Sequence, residues 1–420
     1  MPDVLTFLLQ IAAIVLSARF VGILFRRLGQ PQVLGEMVAG ILLGPSLLGW
    51  VSPALSQTLF PLESIGYLQT LSQVGLLLFM FLVGLEFDPA YLRNQGHAAL
   101  LASHASITAP FLLGSVLALF LYPQLSNANV AFREFALFVG VAMSVTAFPV
   151  LARILVERNL FKTKFGAMVI ACAAVDDITA WCVLAYIVAL VRSSEDSMPL
   201  YVTIGLLTLF IVLMVTICRR LLRKFAEHFE RHGRLTDESM ALILMLLLGC
   251  ATLTEYLGVH LLFGAFLFGA VLPKNPLFVH SVVERIQSLT LVLLLPVFFA
   301  FTGLRTSIGL VQGAEMWMLC GLIILVAVAG KLGGSAIAAR FAGVGWRDSI
   351  ALGIFMNTRG LMELVVLNIG LDLGVLSPAV FSMMVLMALM TTFMTVPLFN
   401  LVAGDQTASE EALQPASAEA

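Results

Sequence analysis

The sequence predicts an all-α polytopic membrane protein with about thirteen transmembrane helices. Of its 420 residues, 60% are apolar and only 11% are Asp, Glu, Lys or Arg, whereas soluble domains carry roughly 25% charged residues. The apolar residues form blocks that approach the ~20 residues needed to cross a bilayer. The formal net charge of −2 and the lack of a basic domain argue against a nucleic-acid partner.

The breaks between the apolar blocks predict where each span lies. The thirteen predicted spans are 4–25, 33–49, 66–86, 97–121, 134–156, 163–192, 199–222, 239–257, 259–273, 282–304, 314–340, 347–370 and 376–402. With the N-terminus outside, 17 Lys and Arg residues fall on cytoplasmic connections and 3 on outer connections, which agrees with the positive-inside rule. We therefore expect a multi-pass protein of the cell inner (plasma) membrane with a cytoplasmic C-terminus. Residues 1–403 form its transmembrane domain, and 404–420 are expected to be a short disordered cytoplasmic tail.

Two pairs of similar segments indicate an internal repeat. Leu34–Gly40 is similar to Phe263–Gly269, and Phe79–Leu85 is similar to Phe298–Leu304, in the same order and at nearly the same separation. These pairs relate span 2 to span 9 and span 3 to span 10. Because seven helices separate the partners, the two units have opposite orientations, as in the inverted repeats of secondary transporters. Spans 2–6 and 9–13 are therefore predicted to be the repeats.

Spans 5 and 12, which are equivalent under this repeat, both look discontinuous. Span 5 contains Ser144, Thr146 and Pro149, and proline removes a backbone donor and disrupts the helix. Span 12 contains the polar stretch Asn357–Gly360. Unwound backbone at membrane depth is tolerated where protein or a water-filled cavity covers it, so the two spans predict a binding site. The alternative is a proline kink in one span and a misplaced loop boundary in the other.

Ionisable residues inside the spans indicate where that site lies. Asp176 and Asp177 fall near the middle of span 6, where each costs ~2.5–3.5 kcal/mol on insertion scales. Neighbouring residues diverge by about 100° on a helix, so one acid can face a cavity while the other meets a cation. Lys331 in span 11 is the obvious cation, although a lysine can also snorkel to the interface. Arg359 and Glu363, four residues apart in span 12, are predicted to pair, either to anchor the broken helix or to contact the ion.

The motifs around these residues resemble the monovalent cation:proton antiporter-2 family. The resemblance covers nearly the whole chain except the tail. The segments that carry it are Gly75–Phe79, Val83–Glu86, Ser144–Arg153, Asp176–Asp177 and Asn357–Leu364. It implies the NhaA-type fold, in which two crossed discontinuous helices meet beside the acidic residues. It also implies a homodimer with a dimerisation domain and a moving core domain.

The resemblance also implies roles for single residues. Asp177 would be the principal carrier of the proton and of the transported metal cation. Asp176 would pair with Lys331, which compensates its charge, and Thr146 would lie at the crossing of the broken helices. The candidate ion and proton ligands are Asp177, Asp176, Thr146 and Ser144. The candidate supports of the broken helix are Asn357, Arg359 and Glu363.

The expected function is exchange of a monovalent cation for protons by alternating access. Sodium is the favoured cation, with lithium and potassium as alternatives. Burial favours the protonated form of a carboxylic acid and a bound cation favours the ionised form, so the two ligands compete. The two adjacent acids with an intramembrane lysine resemble electrogenic family members. Two protons for one sodium ion would move one net charge, worth about 2.3 kcal/mol per 100 mV.

Two other transport functions share the expected fold. A sodium-coupled organic-anion symporter would bind its substrate with little dependence on proton flux, and an ion-flux sensor or channel would show no fixed stoichiometry. The sequence contains no phosphate loop, zinc-ligand spacing or nucleophile elbow. We therefore expect neither an enzyme nor a cofactor, and the expected partners are the two ions, the lipid bilayer and a second copy of the chain.

Overall fold

The computed structural model describes residues 4–403 apart from 87–96, 129, 159, 161–162, 193–199 and 224–234. This part of the chain is helical and contains no strand. The helices are α1 Val4–Arg27, α2 Gln32–Leu43, α3 Leu48–Val51, α4 Pro53–Leu59, α5 Leu62–Glu86, α6 His97–Leu125, α7 Phe132–Ser144, α8 Phe148–Glu157, α9 Lys164–Arg192, α10 Leu200–Leu213, α11 Asp237–Tyr256, α12 Leu261–Val271, α13 Pro276–Leu289, α14 Leu295–Arg305, α15 Gly313–Val328, α16 Gly334–Phe341, α17 Trp346–Met356, α18 Leu361–Asp372 and α19 Pro378–Ala403. The π-helical turns that extend α10, α13 and α15 are Met214–Cys218, Thr290–Leu294 and Ala329–Gly333. The predicted tail 404–420 lies outside the described residues.

The helices confirm the predicted fold class. In the described part of the chain, 11 helical stretches are long and apolar enough to cross a membrane, and the bent pair α17 and α18 makes 12. The short apolar helix α12 lies where span 259–273 was predicted, so every predicted span has a helix in its place. Some boundaries differ because polar turns extend the helices. For example, α13 begins at Pro276 rather than at residue 282, since the Asn275 side chain accepts hydrogen bonds from the backbone N–H groups of Leu277 and Phe278.

Two groups of helices pack mainly among themselves. The first, which we call the scaffold bundle, contains α1, α2, α5 and α10–α14, and the second, the site bundle, contains α6–α9 and α15–α19. Few helix pairs connect the two groups, and α2 against α19 is one of them. The discontinuous helices and both aspartates belong to the site bundle.

Glycines at two helix crossings relate the halves of the scaffold bundle. Gly40 of α2 lies against Gly303 of α14, and Gly84 of α5 lies against α12 near Gly269; a Cβ atom at any of the four would collide with the opposite backbone. The similar segments described above align Gly40 with Gly269 and Gly84 with Gly303. The α2–α14 and α12–α5 crossings are therefore the same contact made twice, as an inverted repeat requires. The extension of the repeats over spans 2–6 and 9–13 stays a prediction.

Candidate functional site

Two helix breaks cross at the centre of the site bundle. Helices α7 and α8 are separated by residues 145–147, and α17 and α18 by residues 357–360, with a bend of 44° in the second pair. The breaks contact each other directly, because the Ala147 N–H donates to the Thr358 carbonyl at 3.0 Å. Gly360 has φ 151°, a conformation that favours glycine. The crossing brings four helix ends together inside the protein, as predicted for spans 5 and 12.

Two buried cations satisfy the C-terminal end of α7. The Arg359 guanidinium donates to the carbonyls of Ala142 at 2.9 Å and Met143 at 2.5 Å, and the Lys331 ammonium donates to the Ser144 carbonyl. Helix ends leave their last carbonyls without intrahelical partners and carry partial negative charge. The two cations therefore replace the hydrogen bonds that the break removes.

Both oxygens of the Asp176 carboxylate accept hydrogen bonds. Its Oδ1 accepts from Ser103 at 2.9 Å, and its Oδ2 accepts from Ser106 at 2.6 Å, Thr146 at 2.8 Å and Lys331 at 2.8 Å. Both members of the Asp176–Lys331 ion pair have 0% exposed side chains. The geometry matches the predicted pairing and gives no support to the alternative that Lys331 snorkels to the interface. Lys331 lies in the π-helical turn Ala329–Gly333, a local widening that is common at functional sites.

The Asp177 carboxylate differs from that of Asp176 in its hydrogen-bond partners. The residue is 4% exposed, and neither carboxylate oxygen accepts a hydrogen bond from any residue that the structure describes. Buried polar atoms without a partner are rare because each costs about 1–3 kcal/mol. The two adjacent acids thus differ as the 100° divergence predicted: one is paired, and the other is available to a proton, a water molecule or a cation.

The remaining predicted site residues lie around the crossing. Arg359 and Glu363 pair at 2.8 Å with 0% exposed side chains, and Asn357 is buried in the second break with an unpartnered Oδ1. The Ser144 hydroxyl does not join the aspartates, since it donates to the carbonyls of Gly140 and Ile107. Only the Ser144 carbonyl, through Lys331, takes part in the site.

Sequence reasoning missed two residues of this site, Ser103 and Ser106 of α6. Both are buried and donate to Asp176. A signal was present, because Ser103, Ser106 and Thr108 place three hydroxyls within six residues of one predicted span.

Threonines of α19 lie beside the second break. The Thr392 hydroxyl donates to the Arg359 carbonyl at 2.7 Å and accepts from the Arg359 N–H at 3.2 Å. Thr395 contacts Thr358 at 3.2 Å. Span 13 therefore brings hydroxyls to its crossing break, where span 6 brings acids.

The comparisons with known proteins identify the family. A family model described as "Sodium/hydrogen exchanger, transmembrane" matches residues 15–401. The chain belongs to the sodium/hydrogen exchanger family. The predicted resemblance to cation:proton antiporters is thereby confirmed.

Two relatives agree with this family assignment, and one solved structure shares the fold. The Na(+)/H(+) antiporter NhaS4 of Synechocystis sp. is 43% identical over 395 residues, which are 94% of this chain and 96% of that protein. Cation/H(+) antiporter 17 of Arabidopsis thaliana is 41% identical over 393 residues, which are 93% of this chain but 47% of that protein. This chain thus spans about half the length of the plant relative. The sodium proton antiporter MjNhaP1 of Methanocaldococcus jannaschii has a TM-score of 0.70 at 13% identity, over 95% of this chain and 99% of that chain, which shows a shared fold.

A cavity lies between the scaffold bundle and the site bundle on one side of the crossing. Its volume is about 450 Å³, and its lining includes Val33, Glu86, Phe148, Arg153 and Leu361. The cavity extends from the span ends beside the Arg- and Lys-rich connections to Leu361, the first residue of α18 at the second break. We call this side of the molecule the basic side.

On the opposite side of the crossing, the described residues enclose a much smaller cavity. This cavity, lined by residues of α5, α14 and α18, has a volume of about 20 Å³. A polar cluster joins the bundles beside it: Arg305 of α14 contacts Asp372 at 2.6 Å and Asn368 at 3.0 Å on α18. Asn368 also donates to Thr302 at 2.9 Å. We call the Arg305–Asp372–Asn368 contacts the latch.

Proposed function

We propose that the chain is a secondary active transporter that exchanges a monovalent cation, with sodium favoured, for protons across a membrane. The observation that carries the proposal is the charge balance of the crossing. Lys331 neutralises Asp176 and Arg359 neutralises Glu363, which leaves Asp177 as the acid without a cation among the described residues of the crossing. A buried site that lacks one positive charge suits one proton or one monovalent cation.

Competition at Asp177 gives obligatory exchange. Burial favours its protonated form and a bound cation favours its ionised form, so loading of the cation releases the proton. If the site bundle moves only when Asp177 carries one of the two ligands, neither ion leaks across. The second carboxylate, Asp176, is paired with the charge-compensating Lys331. Proton exchange at this pair would supply the second proton of an electrogenic cycle.

The two cavities support alternating access. The larger cavity reaches the crossing from the basic side, while the latch closes the opposite side. This arrangement corresponds to a transporter open toward the basic side. From the distribution of Arg and Lys we assign that side to the cytoplasm of a cell whose inner (plasma) membrane holds the protein, with the N-terminus outside and the C-terminus inside. We also propose a homodimer, as the family resemblance implies.

Sodium is favoured because a relative at 43% identity is named a Na(+)/H(+) antiporter. The name of the plant relative states only a cation. Lithium and potassium are therefore tested in parallel with sodium.

The experiment uses proteoliposomes with a set proton gradient, an internal pH dye, and a membrane potential that is clamped or free. We expect sodium to drive proton movement that responds to the potential. Asp177→Asn should reduce this movement to the protein-free background, while the matched control Asp237→Asn should keep it, since the Asp237 side chain is 95% exposed.

Two results would contradict parts of the proposal. Proton movement insensitive to the potential would mean one-for-one exchange. No proton movement with sodium, lithium or potassium would refute exchange and favour the symporter or the sensor.

A further inference from the structure

Ser103 and Ser106 lie three residues apart on α6, so they share a helix face, and that face meets α9. Both are 0% exposed. Their hydroxyls donate to different oxygens of one carboxylate, Ser103 to Oδ1 of Asp176 at 2.9 Å and Ser106 to Oδ2 at 2.6 Å. Two serines aimed at one acid in a membrane helix indicate more than packing.

Both oxygens of the Asp176 carboxylate accept hydrogen bonds, Oδ1 from one donor and Oδ2 from three. An ionised carboxylate offers about four lone-pair sites, and Asp176 accepts four hydrogen bonds in total, two of them from Thr146 and Lys331. Lys331 is itself held by the carbonyls of Ser106 and Ser144. A cation that approached either oxygen of Asp176 would compete with at least one donor, whereas Asp177 has no donor of this kind among the described residues.

From this contrast we infer that Ser103 and Ser106 are positioning residues that withhold the Asp176 carboxylate from the transported cation. Asp177 then supplies the carboxylate ligand alone. The inference rests on the proposed exchange function and deepens it. A site with one carboxylate binds a monovalent ion weakly enough to release it on the far side, while a second carboxylate would hold it longer.

The two serines are not equivalent. Ser103 is the single donor to Oδ1 among the described residues, whereas Ser106 shares Oδ2 with two other donors. Ser103→Ala would therefore free one whole oxygen for the cation. Ser106→Ala would leave Oδ2 still held by Thr146 and Lys331.

The test measures the initial rate of exchange against sodium concentration in proteoliposomes at fixed pH and potential. Ser103→Ala is expected to lower the apparent KM for sodium about fivefold, the factor that corresponds to one net hydrogen bond, with an equal or lower maximal rate. Ser106→Ala should lower it less. The matched control is Ser349→Ala, which removes a hydroxyl that is equally buried but contacts the Val344 carbonyl, and its KM should not change.

A second measurement does not require transport. Purified protein in detergent is heated at increasing sodium concentrations, and the sodium concentration that gives half of the maximal thermal stabilisation is compared between variants. Ser103→Ala should shift this concentration downward by a similar factor. In an Asp176→Asn background the same serine change should have no effect, because the carboxylate it would free is gone.

Several outcomes would overturn the inference. A sodium KM that is unchanged or raised in Ser103→Ala would show that the hydroxyl does not withhold Asp176. An equal fall in the Asp176→Asn background would show that it acts elsewhere. Failure of the proposed function looks different, since the parent protein would then move no protons on addition of any cation.

Discussion

Replacing Arg359 with methionine would test whether the crossing is held together by charge. Arg359 is 0% exposed and holds three partners at once: the Glu363 carboxylate at 2.8 Å and the carbonyls of Ala142 and Met143. Methionine keeps much of the side-chain length but donates nothing. The variant therefore leaves one carboxylate unpaired and two helix-end carbonyls without donors.

The expected cost follows from these losses. Removal of one partner of a buried ion pair costs about 3–5 kcal/mol, and each orphaned carbonyl costs ~1–3 kcal/mol unless water reaches it. Because water can enter the vacated space, we expect Arg359→Met to lower the free energy of unfolding by at least ~3 kcal/mol. The double variant Arg359→Met/Glu363→Gln removes the stranded acid as well. It should recover part of this loss, about 1–3 kcal/mol.

The assay is equilibrium unfolding of the purified protein in mixed detergent micelles, followed by helix content. The control is Arg305→Met, whose ion pair with Asp372 has side chains 21% and 37% exposed and should contribute about 0–1 kcal/mol. If the double variant loses as much as the sum of Arg359→Met and Glu363→Gln, the two residues are not coupled. The interpretation of the crossing as a charge-held unit would then be wrong.

Two further predictions concern movement and packing. Arg305→Met removes the latch contact to Asp372. A cysteine placed at Ile369, which lines the small cavity, should then react faster with a soluble thiol reagent than the same cysteine in a protein that keeps Arg305. Equal rates would show that the latch does not keep this side closed. Gly84→Ala places a Cβ against the α12 backbone and should lower the free energy of unfolding by about 1–3 kcal/mol, measured as above. Gly321→Ala, where the added atom meets open space, should change it little, and equal losses would contradict the close-crossing argument.

The fold and the acids could be predicted because the membrane makes the signal strong. Each charge inside an apolar span is costly, so Asp176, Asp177, Lys331 and the Arg359–Glu363 pair stand out in the sequence. The breaks stand out for the same reason, since a proline or a polar tetrapeptide inside a span needs protein around it. The order of the repeats then placed the two breaks together.

The hydroxyls could not be assigned in this way. Serine is tolerated in membrane helices because its hydroxyl can bond the carbonyl one turn earlier, and Ser144 does this with Gly140. Whether a serine instead serves an acid depends on which face of its helix meets that acid. For Ser103 and Ser106 that face is set by the packing of α6 on α9, a tertiary contact that the pattern of one span does not encode.

The two breaks differ in the side chains that surround them. Both spans are interrupted at the crossing, but the neighbouring helix brings acids to the first break and threonines to the second. Thr392 satisfies both the backbone N–H and the carbonyl of Arg359, so the neighbouring helix supplies neutral hydrogen-bond partners to the second break. At the first break Lys331 and Arg359 donate to the carbonyls at the end of α7, and Asp176 forms an ion pair with Lys331. Among the described residues of the crossing, Asp177 is thus the acid left without a cation, as the proposed exchange of one ion requires.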